Sequence, residues 1–116
     1  MRIEVKSNVA FVREPGVLIT DVQSALDLIA TVNYETGCEA MVLPKAALSE
    51  EFFQLSTRLA GEVLQKFVNY HMRLAIVGDF SGYISKSLKD FLYESNKGSA
   101  VFFLASEDEA MERLSL

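Results

Sequence analysis

Apolar and polar residues alternate at the amino end of the chain, with Ile3, Val5, Val9 and Phe11 placed on either side of Ser7-Asn8. Alternation interrupted by two turn-forming residues predicts a tight β-hairpin, because Asn tolerates the left-handed backbone that such turns require. Glu14-Pro15-Gly16 stops the second strand, and Val17-Leu18-Ile19 leads toward a change of period. From Thr20 the apolar positions are Val22, Ala25, Leu26, Ile29 and Val32, a helical spacing that Gly37 ends. Thr20 and Gln23 have the separation of a capping box and set the expected start of this helix. Glu39 to Leu43, closed by Pro44, is a short buried strand.

The longest periodic stretch begins at Ser49, an N-cap candidate followed by Glu50 and Glu51, whose charges favour a helix amino end. Phe52, Leu55, Leu59, Val63 and Phe67 fall on one face and polar residues on the other, predicting one surface helix of about 20 residues, or about 30 Å. Gly61 lies inside it at a cost of about 1 kcal/mol relative to Ala, which suggests close backbone packing there. Leu74-Ala75-Ile76-Val77 is apolar on both faces, as a central parallel strand is. Gly78 to Ile84 is a loop, and Ser85 or Ser87 caps a third helix with Leu88, Phe91 and Leu92 inward and Gly98 at its end. Ala100 to Ala105 is a further buried strand, and Ser106 with Glu109 forms a capping box for a terminal helix carrying Met111 and Leu114.

The order is therefore hairpin, helix, strand, helix, strand, helix, strand, helix. Alternation of this kind implies an α/β fold with right-handed crossovers and a mostly parallel sheet, the hairpin supplying an antiparallel edge, with about four helices. No linker, repeat or low-complexity tract divides the chain, so residues 1–116 form a single domain. Ligand sites of such sheets lie outside the carboxyl ends of the strands.

The order of elements resembles the STAS fold, the module of sulfate transporters and anti-sigma-factor antagonists. More specifically, the chain is similar to a bacterial family described only as a domain of unknown function. The words that carry this resemblance run from Leu59 to Phe67, from Leu74-Ala75-Ile76-Val77-Gly78-Asp79-Phe80-Ser81 and through Ser85-Lys86-Ser87-Leu88-Lys89-Asp90-Phe91. Asn69-Tyr70, Glu94-Ser95-Asn96-Lys97-Gly98 and, earlier, Ala25-Leu26-Asp27-Leu28 extend it over nearly the whole chain. The family implies a fold and no activity. STAS antagonists carry a serine phosphorylated by a partner kinase, in an Asp-Ser-Ser-Gly-like motif at the start of a helix. The resemblance makes Ser49, in Ala47-Leu48-Ser49-Glu50-Glu51, the candidate phosphorylation site. The motif's preceding Asp and following Gly are absent, and two glutamates crowd the position with negative charge.

Composition narrows the function classes. Half of the residues are apolar and 23% charged, a globular balance, and the net charge of -5 gives no footprint for nucleic acid or an anionic membrane. A single cysteine, Cys38, excludes an intrachain disulfide. No apolar run reaches the roughly 20 residues needed to cross a bilayer, and the first residues lack the apolar core of a signal peptide. A cytoplasmic protein is expected.

The most function-like stretch is Gly78 to Ser87, and its candidate ligand-binding residues are Asp79, Ser81, Gly82, Tyr83, Ser85, Lys86 and Ser87. A helix amino end there suits an anion, yet a P-loop is excluded. Gly78 and Gly82 enclose three residues rather than four, and Lys86-Ser87 does not follow a glycine. Asp79 as a receiver phosphoacceptor lacks the acidic pair that holds magnesium, since Arg13-Glu14-Pro15 offers one acid. His71 is the only histidine, which excludes metal sites built on several imidazoles. It precedes the strand leading to Ser81, at the wrong end of the sheet for a triad with Ser81 and Asp79, and no nucleophile elbow holds that serine. Cys38 and the pairs Phe52-Phe53 and Phe102-Phe103 are assigned to the core.

No catalytic residue, metal or cofactor is expected. The leading expectation is a non-catalytic protein-interaction or regulatory module of STAS-like fold, partnered by another protein or by itself as a homodimer. The alternative is a small-molecule binder or enzyme acting on an anionic ligand or nucleotide at the Asp79 to Ser87 loop.

Overall fold

The computed structural model describes residues 1–115. Strands β1 (Ile3–Lys6) and β2 (Val9–Val12) form the opening hairpin, with Ser7 and Asn8 both at positive φ (51° and 64°) in its two-residue turn. Helix α1 (Val22–Thr36) is followed by β3 (Ala40–Pro44), α2 (Leu59–Asn69), β4 (Arg73–Val77), α3 (Lys86–Lys97), β5 (Val101–Leu104) and α4 (Glu107–Leu114). The five strands make one sheet in the order of the chain, β1-β2-β3-β4-β5; β1 is antiparallel to β2 and every other neighbouring pair is parallel. The expected α/β architecture, with its hairpin edge and four helices, is the one observed.

Strand order matching chain order has a geometric result. Right-handed crossovers that all step in the same direction put their helices on the same face. Ala10, Val12, Met41, Leu43, Leu74, Ile76 and Phe103 point to that face and pack with α1, α2 and α3. The opposite face presents Val9, Phe11, Ala40, Val42, Ala75 and Phe102, and α4 lays Ala110 and Leu114 against it. The aromatic pair Phe102-Phe103 is thus divided between the two layers, whereas Phe52 and Phe53 share one, edge to face with centroids 5.0 Å apart. Over β2, Lys6 and Arg13 place their cations 5.4 and 5.2 Å from the Phe11 ring centroid. Long charged side chains can cover apolar surface in this way while their heads stay in water.

Several local expectations are corrected. The single helix from Ser49 to Asn69 is three pieces: 3-10 turns at Glu50–Phe53 and Leu55–Thr57, then α2. Arg58, at φ 65°, breaks the path between the second turn and α2. The Thr57 hydroxyl reinforces the break, lying 3.0 and 2.8 Å from the carbonyl oxygens of Glu51 and Gln54 while accepting from Leu59 N at 3.2 Å. Ser49 precedes the first turn but its side chain caps nothing. Gly61 has open space where a Cβ would stand, so close packing is not its reason.

At α1 the cap is Asp21 rather than Thr20, and the box partner is Ser24 rather than Gln23. Asp21 Oδ1 accepts from Ser24 N at 2.8 Å and Ser24 Oγ accepts from Asp21 N at 3.1 Å. Backbone and side-chain donors of Ser24 hold the Asp21 carboxyl below its ordinary pKa. Gly37 ends this helix in the left-handed conformation, φ 71°. Ser85, not Ser87, caps α3, and Ser106 caps α4; Glu109 Oε2 accepts from Ala105 N rather than from the cap residue itself.

Candidate functional site

The carboxyl ends of β2, β3 and β4 open onto a shallow surface built by the three connections that follow them. Pro15 and Gly16 turn the chain after β2, and the following residues run beside the segment after β3. Leu18 and Ile19 both donate their amides to the Ala47 carbonyl at 2.7 and 2.9 Å, and Ser49 N donates to Ile19 O at 3.0 Å. This short parallel contact fixes Val17 and Leu48 as neighbouring walls of a groove of about 630 Å³ whose lining also includes Ser49, Glu50, Phe53 and Asp79. A smaller groove of about 300 Å³, containing Arg13 and Glu107, shares Pro44, Ala46 and Val77 with it and continues it along the sheet.

Lys45 stands at the centre of this edge. Its stem crosses Gly78 so closely that a Cβ there would come within 2.6 Å of the Lys45 Cβ. Its ammonium lies 4.5 Å from the Tyr83 ring centroid, 5.5 Å from that of Phe80 and 5.7 Å from that of Phe53, and donates to the Asp79 carbonyl at 2.8 Å. Phe53 and Tyr83 stack at 5.3 Å, and Phe80 meets Phe103 edge-on at 5.6 Å, which anchors the rings in the core. A cation enclosed by ring faces is stabilised there by their quadrupoles.

The residues singled out from the sequence fall into separate groups around this centre. Asp79 Oδ1 accepts from the Ser81 hydroxyl at 2.6 Å and from Ser81 N at 2.9 Å, a closed local turn, and these donors lower the Asp79 pKa. Tyr83 belongs to the rings around Lys45. Gly82 and Ser87 are exposed, and Ser85 Oγ accepts from Leu88 N at 3.3 Å as the α3 cap. Lys86 reaches outward to Asp90 at 2.8 Å, which raises its pKa. Ser49 lines the groove with Asp79, its Oγ buried and without a hydrogen-bond partner among the described residues.

Beside the groove, Arg13 is held by both Glu107 oxygens and by Glu4 Oε1 at 3.0 Å. The Glu107 contact is the main cause of the raised Arg13 pKa and, in return, Arg13 lowers that of Glu107. Arg13, Lys45 and Lys86 therefore all have partners within the chain. Among the described residues no three of His, Cys, Asp and Glu come together as a metal ion requires. His71 follows α2 at φ 56°, at the amino end of β4, and Ser81 follows the other end of the same strand. Cys38 is buried.

Lys45, Phe53 and Val17 were not among the expected site residues. The signal for them was faint: a lysine directly after the strand-ending Pro44, and aromatic residues within Gly78 to Ser87 that needed a facing partner. No helix among the described residues is long and apolar enough to cross a membrane. Residues 4–114 match the model of a family described as a domain of unknown function (DUF4180). No curated protein and no solved structure matches the chain.

Proposed function

We propose that this chain, which belongs to the DUF4180 family, is a non-catalytic interaction module of STAS-like architecture. Its carboxyl-edge groove would take an apolar segment with flanking basic side chains from a partner protein. The element order and the hairpin edge of the sheet support the STAS-like architecture. One observation carries the functional part: the groove walls are Val17, Leu48 and Phe53, its outward charges are Glu50 and Asp79, and its one lysine is folded beneath its own aromatic rings. An apolar floor with acidic margins complements a basic, amphipathic peptide. A regulatory role follows if that binding is controlled, and phosphorylation of Ser49 would be one such control. Ser49 borders the groove, but its oxygen is buried, so a kinase would need the Leu48–Glu50 segment to open first.

A photo-crosslinking residue at Val17, compared with one at Glu112 on the far helix, tests this in the native cell. One protein should be captured at position 17 and not at 112, and binding of its isolated segment should weaken about tenfold or more with Glu50→Lys, a change at an exposed residue of the groove. The alternative, an anionic ligand or nucleotide bound by Asp79 to Ser87, expects phosphorylated metabolites to raise the melting temperature and Lys86→Ala to abolish the shift. That result, without position-specific crosslinking, overturns the interaction reading.

A further inference from the structure

We propose that the outer edge of β1 pairs with the same edge of a second copy of this chain, antiparallel about a two-fold axis at Ile3, joining two sheets into one.

The two edges of the sheet are treated differently. On β5, the Asn96 side chain accepts from Phe103 N at 2.7 Å and donates to Phe103 O at 3.0 Å, so a side-chain amide occupies the place of a further strand. On β1 nothing of the kind exists among the described residues. The register pairs Ile3 with Val12 and Lys6 with Val9, and Arg13 N donates to Arg2 O at 2.7 Å. In an antiparallel ladder alternate residues share both bonds with the partner strand. Arg2, Glu4 and Lys6 therefore bond inward to β2, and the N–H and C=O groups of Ile3 and Val5 point outward. The strand has no proline or bulge, two of the usual protections of an open edge.

The side chains select both the occupant and the register. Met1, Ile3 and Val5 lie on one face; Met1 and Val5 are 48% and 49% exposed, unusual for apolar residues beside a packed sheet. With Ile3 opposite its own copy, Met1 faces Val5 and the three form a closed apolar stripe. On the other face Arg2 then lies opposite Glu4, twice by symmetry. Shifting the axis to Glu4 sets Glu4 against Glu4 and Arg2 against Lys6, pairs of like charge that destabilise a sheet. Shifting it to Val5 runs the ladder into Ser7 and Asn8, whose positive φ ends the strand. The surface is distinct from the carboxyl-edge groove and does not depend on its role.

Sedimentation velocity of the full chain over a range of concentrations decides the matter. A concentration-dependent dimer is expected. Val5→Pro removes an outward amide that β2 does not use and should weaken the dimer by about tenfold or more with the hairpin retained. Arg2→Glu sets like charges against each other and should weaken it too, and adding Glu4→Arg to that variant should restore it. If Val5→Pro fails to fold, the Arg2 and Glu4 pair of variants still decides. A wild-type monomer at every concentration overturns the proposal and leaves the edge to another protein's strand. A dimer indifferent to Arg2→Glu overturns it as well.

Discussion

Asn96 and Phe103 exchange two hydrogen bonds between a side-chain amide and a strand backbone, 2.7 and 3.0 Å long, and thereby finish the sheet at β5. The helix that packs on this strand also supplies its last ladder rung. A hydrogen bond of this kind contributes about 0.5–1.5 kcal/mol, and a buried group left unpaired costs more. Asn96→Ala is expected to lower unfolding free energy in urea by about 2 kcal/mol, with protection from hydrogen exchange lost first at the Phe103 amide.

The same substitution at two glycines should have opposite signs. Gly61 sits in α2 with open space beside it, so Gly61→Ala gains helix propensity and should stabilise by about 0.5–1 kcal/mol. Gly78 faces the Lys45 stem at 2.6 Å, so Gly78→Ala forces overpacking and should destabilise by about 1–3 kcal/mol. Chemical denaturation of the two variants beside the parent checks both.

Arg13 and Glu107 give an acid dependence. The folded Glu107 has a pKa below its ordinary 4.5 because Arg13 binds its carboxylate. The unfolded chain therefore takes up the proton first as pH falls. The stabilisation is complete above about pH 4.5 and is lost as pH drops through the lowered folded value. Because the Glu107 side chain is 44% exposed, the effect should stay below about 1 kcal/mol. Arg13→Gln should make the loss of stability between neutral pH and pH 3 shallower than in the parent, measured by urea titration at each pH.

Ser49 buries an oxygen that no group among the described residues engages. Ser49→Ala removes the desolvation of that hydroxyl and should leave the protein equally stable or more so, by up to about 1 kcal/mol. Ser49→Asp buries a charge at the same point and should destabilise by more than Ser49→Ala stabilises, which a pair of thermal melts distinguishes.

Much of the sheet was legible because its strands are short apolar runs bounded by Pro, Gly or Asn, and Ser7-Asn8 has the chemistry its turn demands. The Gly37 stop and the Ser85 and Ser106 caps were readable for the same reason: each is a local bond between near neighbours. The stretch from Ser49 to Arg58 was not, because 3-10 turns place every third residue on one side, and Phe52 and Leu55 satisfy that spacing as well as a helical one. The first cap was misplaced by one residue because Thr20 and Asp21 both have capping chemistry, and only the backbone decides between them. The rings around Lys45 were illegible for a different reason. Lys45 and Phe53 come from the connection after β3 and Phe80 and Tyr83 from the one after β4, and no local pattern announces their meeting.

The strand order has a kinetic meaning. Every strand pairs with the strand before it in the chain, so no pairing waits for a distant segment to return. Loops closed between consecutive elements lose less entropy than long ones, and chains dominated by such contacts cross lower folding barriers. The hairpin can form first and receive each helix-and-strand unit in turn, in the order in which a ribosome would release them. Helix α4 is the exception: it packs back across β3, β4 and β5, and its docking can seal the second face only after those three strands stand side by side.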